Sequence, residues 1–248
     1  MQKWLPYSRL DGVRPRVRLL CFAHAGGSAL VFRTWREKLP WTIQTCAVQL
    51  PGRERRLTEP FITNMPRLIH ELSGSLAPLL EGRIALIGHS LGAKIAFEFA
   101  RAIRSQFLKA ELVHLFVSGS QAPHLRSRET PIYNLPEQKF LERLRQFGGT
   151  PREVLANTEV MNLLVPRLRS DFELDDTYTY EPAEPLHCPI TVWGGESDDL
   201  VPRASLEAWQ VHTSAGFQAH VLRGSHFAFY EQEPEIIAAI RQKLATVS

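Results

Sequence analysis

Ser90 stands at the centre of a Gly-His-Ser-Leu-Gly pentapeptide, residues 88–92. The G-x-S-x-G pattern arises by chance in many chains, so its flanks decide its meaning. A continuous apolar run, residues 84–87, leads into it and an amphipathic run follows at once. A strand that turns this tightly into a helix holds its central residue at strained dihedrals, and Gly88 and Gly92 remove the side chains that would clash. Such a turn lifts Ser90 Oγ above the carboxyl edge of a sheet, with the positive end of the next helix beside it. The chemistry this serves is nucleophilic attack on an acyl carbon. The plain alternative is a polar residue in a glycine-bounded turn.

A serine hydroxyl is a poor nucleophile without a base, and nine histidines are available. Where a serine on such a turn belongs to a triad, the acid and then the histidine follow it along the chain. His226, in "VLRGSHFAFY" (residues 221–230), falls just past the last strand-like run. His220 lies inside that run. His187 and His212 sit at no strand end near Ser90, and His89 adjoins the serine but faces elsewhere in a turn of this kind. The loop "VWGGESDDLVP" (residues 192–202) offers Glu196, Asp198 and Asp199 as the acid. Asp198, three residues past the second glycine and before Leu200-Val201, is favoured, with Asp199 in reserve. A carboxylate there would bond the histidine Nδ1–H, fix its tautomer and stabilise the imidazolium.

Two backbone N–H groups should face the tetrahedral oxygen, each worth roughly 3 kcal/mol of barrier. Leu91, after the nucleophile, supplies one. The other belongs to the loop after the first clear strand, "FAHAGGSA" (residues 22–29), with Ala25 as the donor. His24 in that loop reads as a shaping residue rather than a base. No metal-like spacing of His, Cys, Asp and Glu and no glycine-rich nucleotide fingerprint competes, so no metal and no cofactor are expected.

The elements that must hold these residues alternate strand and helix, the pattern of an α/β domain with a mostly parallel sheet flanked by helices. Strands are expected at residues 17–23, 43–50, 83–87, 111–120, 189–195 and 217–224. Helices are expected at 28–39, 65–80, after Ser90, and at 233–247. The interval from Gly119 to Cys188 is far longer than a crossover between parallel strands needs. It carries Phe140, Leu141, Leu144 and Phe147 at helical spacing, then Val160, Leu163, Leu164 and Leu168 with a kink expected near Pro166. We read this excess as a helical cap inserted over one end of the sheet, within a single domain spanning 1–248.

Composition narrows the alternatives. The 44% apolar content suffices for a sizeable core and the net charge of +3 is mild. No basic cluster interleaved with aromatics argues for nucleic acid. Basic residues gather in "PGRERR" (residues 51–56) and in 121–170, where eight Lys or Arg face five Asp or Glu. Both read as solvated faces, with docking of an acidic partner as the functional alternative. Cys21, Cys46 and Cys188, odd in number and sparse, suggest reduced thiols and a cytoplasmic protein. The start of the chain has no secretory h-region, and no apolar run reaches 18 residues, so no membrane span is expected.

With these residues in place the chain resembles the stand-alone type II thioesterases that accompany polyketide synthases and non-ribosomal peptide synthetases. The similarity runs from residue 17 to 244. It rests on "CFAHAGGSALVFRTW", "VQLPGRERRLTEP", "LIGHSLGAKIAFEFA", "LVPRLRSDFELDDTY", "CPITVWGGESDDLV" and "LRGSHFAFYE" taken together. Two positions depart from the family's pattern. Ala23 stands where proline is frequent, and Asp199 where proline often follows the acid, which keeps the choice between Asp198 and Asp199 open.

The resemblance implies an α/β-hydrolase fold, with a helical lid over an acyl chamber at about residues 123–176 and a triad at Ser90, Asp198 and His226. The implied activity is hydrolysis of acyl thioesters from the phosphopantetheine arm of an acyl or peptidyl carrier protein, with no cofactor beyond the arm the substrate brings. A monomer is the default. The competing readings are a medium-chain fatty acyl thioesterase, a lipase or carboxylesterase on the same fold, an acyltransferase or cyclase domain, and a binding module without catalysis.

Overall fold

The uninterrupted apolar runs become the interior of one sheet. In the computed structural model, which describes residues 1–8, 14–125 and 130–245, the strands are β1 (Val17–Phe22), β2 (Ile43–Ala47), β3 (Gly82–His89), β4 (Ala110–Ser118), β5 (Ile190–Gly195) and β6 (Phe217–Leu222). They lie parallel in the order β2-β1-β3-β4-β5-β6. Each strand differs from its expected span by a few residues at most.

Alternate side chains feed two cores, one on each face of the sheet. Leu20, Phe22, Ile84, Leu86, Leu115 and Val117 pack on one side. Leu19, Cys21, Ala85, Ile87 and Phe116 pack on the other. The first core is covered by the helices α2 (Met65–Leu76) and α3 (Leu91–Gln106). The second is covered by the segment after β1 and by the closing helix. No described helix is long and apolar enough to cross a membrane. All three cysteines are buried and unpaired.

The segment expected as one helix over 28–39 is instead a 3₁₀ turn, Ala29–Phe32, followed by the short helix α1 (Trp35–Lys38). The side chains explain it. Ala29, Phe32 and Trp35 are all buried, and a spacing of three stacks on one side of a 3₁₀ turn rather than drifting around an α-helix. Likewise α2 gives way after Leu76 to a 3₁₀ turn, Ala77–Leu79, where Pro78 removes a backbone donor.

The inserted segment holds α4 (Glu137–Phe147), α5 (Arg152–Ala156) and α6 (Thr158–Asp176); residues 126–129 of the expected lid lie outside those described. Phe140, Leu144, Phe147, Met161, Leu168 and Phe172 form a small core of their own. The expected inward face of α6 is partly wrong: Leu163 is 74% exposed and Val160 lies on the surface. The buried positions Met161, Leu168 and Phe172 follow a different stripe, and α6 continues through Pro166. A single layer of helices leaves its outer side uncovered, so apolar residues there stay in water.

Arg53 and Arg56 correct the reading of "PGRERR" as a solvated face, since each is only 3% exposed. Arg56 lies 3.9 Å from the centroid of the Trp4 ring and donates to the Gln49 carbonyl. The chain closes with α7 (Arg203–Glu207), α8 (Ala228–Glu231) and α9 (Glu233–Ala245).

Candidate active site

Strand register brings the loops of interest together. Phe22 of β1 pairs with Gly88 of β3, and His89 pairs with Ser118 of β4, so the residues just past each strand converge. Ser90 follows β3 immediately, at φ 56° and ψ −120°, a region that costs a non-glycine residue roughly 1–3 kcal/mol. Its backbone is held there: the Ser90 N–H donates to the Ser118 carbonyl at 2.8 Å and its own carbonyl accepts from Ala93 N–H at 3.0 Å. The two glycines are there for contact. A Cβ on Gly88 would meet Gly92 O at 2.0 Å, and one on Gly92 would meet Phe22 O at 2.2 Å. Only bare backbone lets α3 start this close to β1 and β3.

His226 lies past β6, and its Nδ1 is 2.7 Å from Oδ2 of Asp198. The other carboxylate oxygen of Asp198 accepts from the Leu200 N–H at 3.0 Å, so both oxygens are occupied and the rotamer is fixed. Glu196 and Asp199, the other acids of this loop, are exposed. A ring bonded through Nδ1 turns its Nε2 the opposite way. Ser90 and His226 line the same two cavities.

Six other histidines are held away from that role. His24 meets Tyr230 Oη through Nδ1 at 2.8 Å. Burial first, then the neighbouring His226, pushes its pKa down to about 3, so it is neutral in the folded protein. His89 turns into the core, 3.1 Å from Ser118 Oγ and stacked on Phe229. Burial and the adjacent His226 and His24 hold its pKa well below the usual histidine value. His212 pairs with His124 at 2.8 Å, and neither lines these cavities. His220 sits on exposed β6, and His187 is exposed.

Leu91 is the first residue of α3, where an N–H has no carbonyl within its own helix. Ala25 lines the apolar cavity together with Ser90 and His226. That cavity is walled by Leu144, Phe147, Leu168 and Phe172 of the inserted helices and by Phe227. A second cavity meets it at Ser90, His226 and Leu200 and is polar, lined by Lys94, Ser120, Gln121 and Asp175. Lys94 and Asp175 form an ion pair at 2.7 Å. No group of three or more possible metal ligands occurs among the described residues.

Sequence reasoning missed several groups that shape this site. Gly119, at φ +55°, makes room for two imidazoles, since a Cβ there would lie 2.6 Å from His89 and 3.2 Å from His226. Tyr230 fixes His24, and Arg53 with Asp171 grips the loop that carries Ala25. The "PGR" and "SDF" stretches were the available signals, and a cation and an anion of those stretches are buried far apart in sequence.

The chain is 41% identical to the linear gramicidin dehydrogenase LgrE of Brevibacillus parabrevis, over 98% of this chain and 92% of that one. It is 39% identical to the gramicidin S biosynthesis protein GrsT of Aneurinibacillus migulanus, over 100% of this chain and 96% of the other. Its fold is similar to the solved type II thioesterase BorB from the borrelidin biosynthetic cluster, with a TM-score of 0.84 at 31% identity, over 93% of this chain and 95% of that one. The model of the thioesterase domain matches residues 17–244, and with so nearly the whole chain covered, this protein belongs to the thioesterase domain family.

Proposed function

We propose that this chain is a type II thioesterase that hydrolyses acyl groups from the phosphopantetheine arm of carrier proteins in peptide or polyketide synthesis. The observation that carries the proposal is the Asp198–His226 hydrogen bond together with a serine on a strained strand-to-helix turn, Ser90 and His226 both lining one apolar cavity. Membership of the thioesterase family and the similarity to BorB direct the chemistry to a thioester.

In the proposed mechanism Ser90 Oγ attacks the thioester carbonyl and its proton passes to Nε2 of His226. Asp198 accepts from Nδ1–H and stabilises the imidazolium. The N–H groups of Leu91 and Ala25 donate to the oxyanion. As the intermediate collapses, the C–S bond breaks and His226 protonates the departing thiol. Water, deprotonated by His226, then attacks the acyl-serine, the C–O bond breaks, Ser90 regains its proton and the free acid leaves. The acyl group occupies the apolar cavity and the pantetheine arm, rich in amides, the polar one. The inserted helices act as the lid.

The test is intact-mass spectrometry of a carrier-protein panel loaded with different acyl groups. The expected result is release of free carrier by the wild type, none by Ser90→Ala, and acyl-enzyme only when Ser90 is present. Undiminished turnover by the folded Ser90→Ala protein would overturn the assignment. A strong preference for an oxygen ester of the same acid would overturn the substrate and leave the chemistry.

A further inference from the structure

Two opposite charges, Arg53 of the turn after β2 and Asp171 of α6, are each 3% exposed at the side chain. Charges this deeply buried are costly unless paired and fully hydrogen-bonded. These two are paired with each other, and their hydrogen bonds reach the loop that carries Ala25. The Arg53 guanidinium pairs with Asp171 Oδ2 through Nη2. Its Nε donates to the Gly27 carbonyl at 2.7 Å and its Nη1 to the Pro51 carbonyl at 2.8 Å. The same Oδ2 of Asp171 accepts the Gly26 N–H at 2.6 Å.

The two residues after Ala25 are therefore gripped by opposite charges, the N–H of Gly26 by the anion and the C=O of Gly27 by the cation. On the other side, His24 is fixed by Tyr230, and Gly27 N–H closes the turn onto the His24 carbonyl at 2.9 Å. Gly26 has φ +78°, and α6 presses on it through Leu168, which a Cβ would meet at 2.5 Å. The Ala25 peptide lies between two clamped neighbours.

We propose that the Arg53–Asp171 pair is a positioning device that aims the Ala25 N–H at the oxyanion, and that it ties this donor to the inserted helix α6. This rests on the function proposed above. Leu168 and Phe172, either side of Asp171, wall the apolar cavity, so the helix that receives the acyl group also holds the donor. Seating of α6 and completion of the oxyanion site become one event.

The variants are Arg53→Lys, which keeps the charge but loses the fork, and Asp171→Asn, which keeps an acceptor but loses the charge. Each is compared with wild type on one acyl-carrier thioester, with active sites counted by endpoint fluorophosphonate labelling read as intact mass. The probe of the oxyanion is an acyl trifluoromethyl ketone. Ser90 Oγ adds to its carbonyl carbon, the hydroxyl proton passes to His226, and the carbonyl oxygen takes the electron pair as an alkoxide.

Loss of one oxyanion donor removes about 10²–10³ in rate. The expected result is a fall of about 100-fold in kcat per active site, with KM within about threefold and the pH midpoint of kcat/KM unchanged. The ketone's affinity falls in proportion to kcat/KM, while that of a non-reactive thioether analogue holds. Unchanged kcat per active site, or a ketone affinity that does not follow kcat/KM, overturns the inference and leaves a merely structural ion pair. If the wild type itself forms no ketone adduct by ¹⁹F NMR, the underlying serine chemistry fails instead. Circular dichroism shows that each variant measured is folded.

Discussion

Nδ1 of His226 lies 2.7 Å from Oδ2 of Asp198, while the neighbouring Asp199 stands in solvent. Two adjacent carboxylates in one loop should then behave very differently. Asp198→Asn offers an amide to the imidazole and favours the wrong tautomer, so kcat should fall by about 10³–10⁴. Asp199→Asn should stay within about twofold of wild type. Steady-state kinetics on an acyl thioester, with thermal melts to show that both variants fold, check the pair.

Gly119 is the second test, because its missing side chain is where two rings sit. Gly119→Ala places a methyl 2.6 Å from the buried His89 and 3.2 Å from His226, at a backbone φ of +55°. Left-handed strain alone costs roughly 1–2 kcal/mol. Displacement of His226 by a fraction of an ångström should lower kcat by about 10- to 100-fold. A drop in the melting temperature accompanied by the loss of kcat is expected, with KM little moved.

His114 tests the pH dependence of stability away from the site. It is buried, 2.9 Å from Thr191 Oγ1 and stacked on Phe116, and burial followed by the Lys243 charge pushes its pKa down to about 3. Its folded form is neutral, whereas the unfolded chain takes up a proton near the ordinary value of 6.5. The stability it contributes is complete above about pH 6.5 and is lost as pH falls toward 3. His114→Gln keeps a polar group against Thr191 and removes the titration. Urea unfolding between pH 7.5 and 5 should show the wild type losing about 2 kcal/mol more than the variant.

Phe172 tests the inserted helices as a wall. Its ring contacts Phe140 and Phe147 at centroid distances of 5.9 and 5.5 Å and lines the apolar cavity. Phe172→Ala should destabilise α4 to α6 by about 3–5 kcal/mol and shift acyl preference toward longer chains. Hydrogen exchange localises the first effect, and the loaded carrier panel reads the second.

The middle of the sheet was legible because strands such as β1, β3 and β5 are buried on both faces, and a strand like β3 can only be written as a continuous apolar run. Ser90, His226 and the acidic loop were legible because glycines and strand ends mark them locally. What sequence did not reveal depends on distant partners. The mate of Arg53 is 118 residues away, so "PGRERR" looked like surface charge. Trp4 and Leu5, ahead of the first expected strand, are 2% and 1% exposed. Val160 and Leu163 misled for the reverse reason, since periodicity names an apolar face without saying whether anything covers it.

The strand order has one more consequence. From β1 the chain moves to β2 on one side, and β3 then takes up the opposite flank of β1 and the sheet grows away from it. The segment after β1 packs on one face and α3, after β3, on the other. The two connections leave neighbouring strand ends in opposite directions and part above them. This reversal is the topological switch point at which open α/β sheets bind their ligands. The crevice beside Ser90 and Ala25 is thus present in the winding of the chain before any side chain is chosen, and the inserted helices roof an opening that the topology had already made.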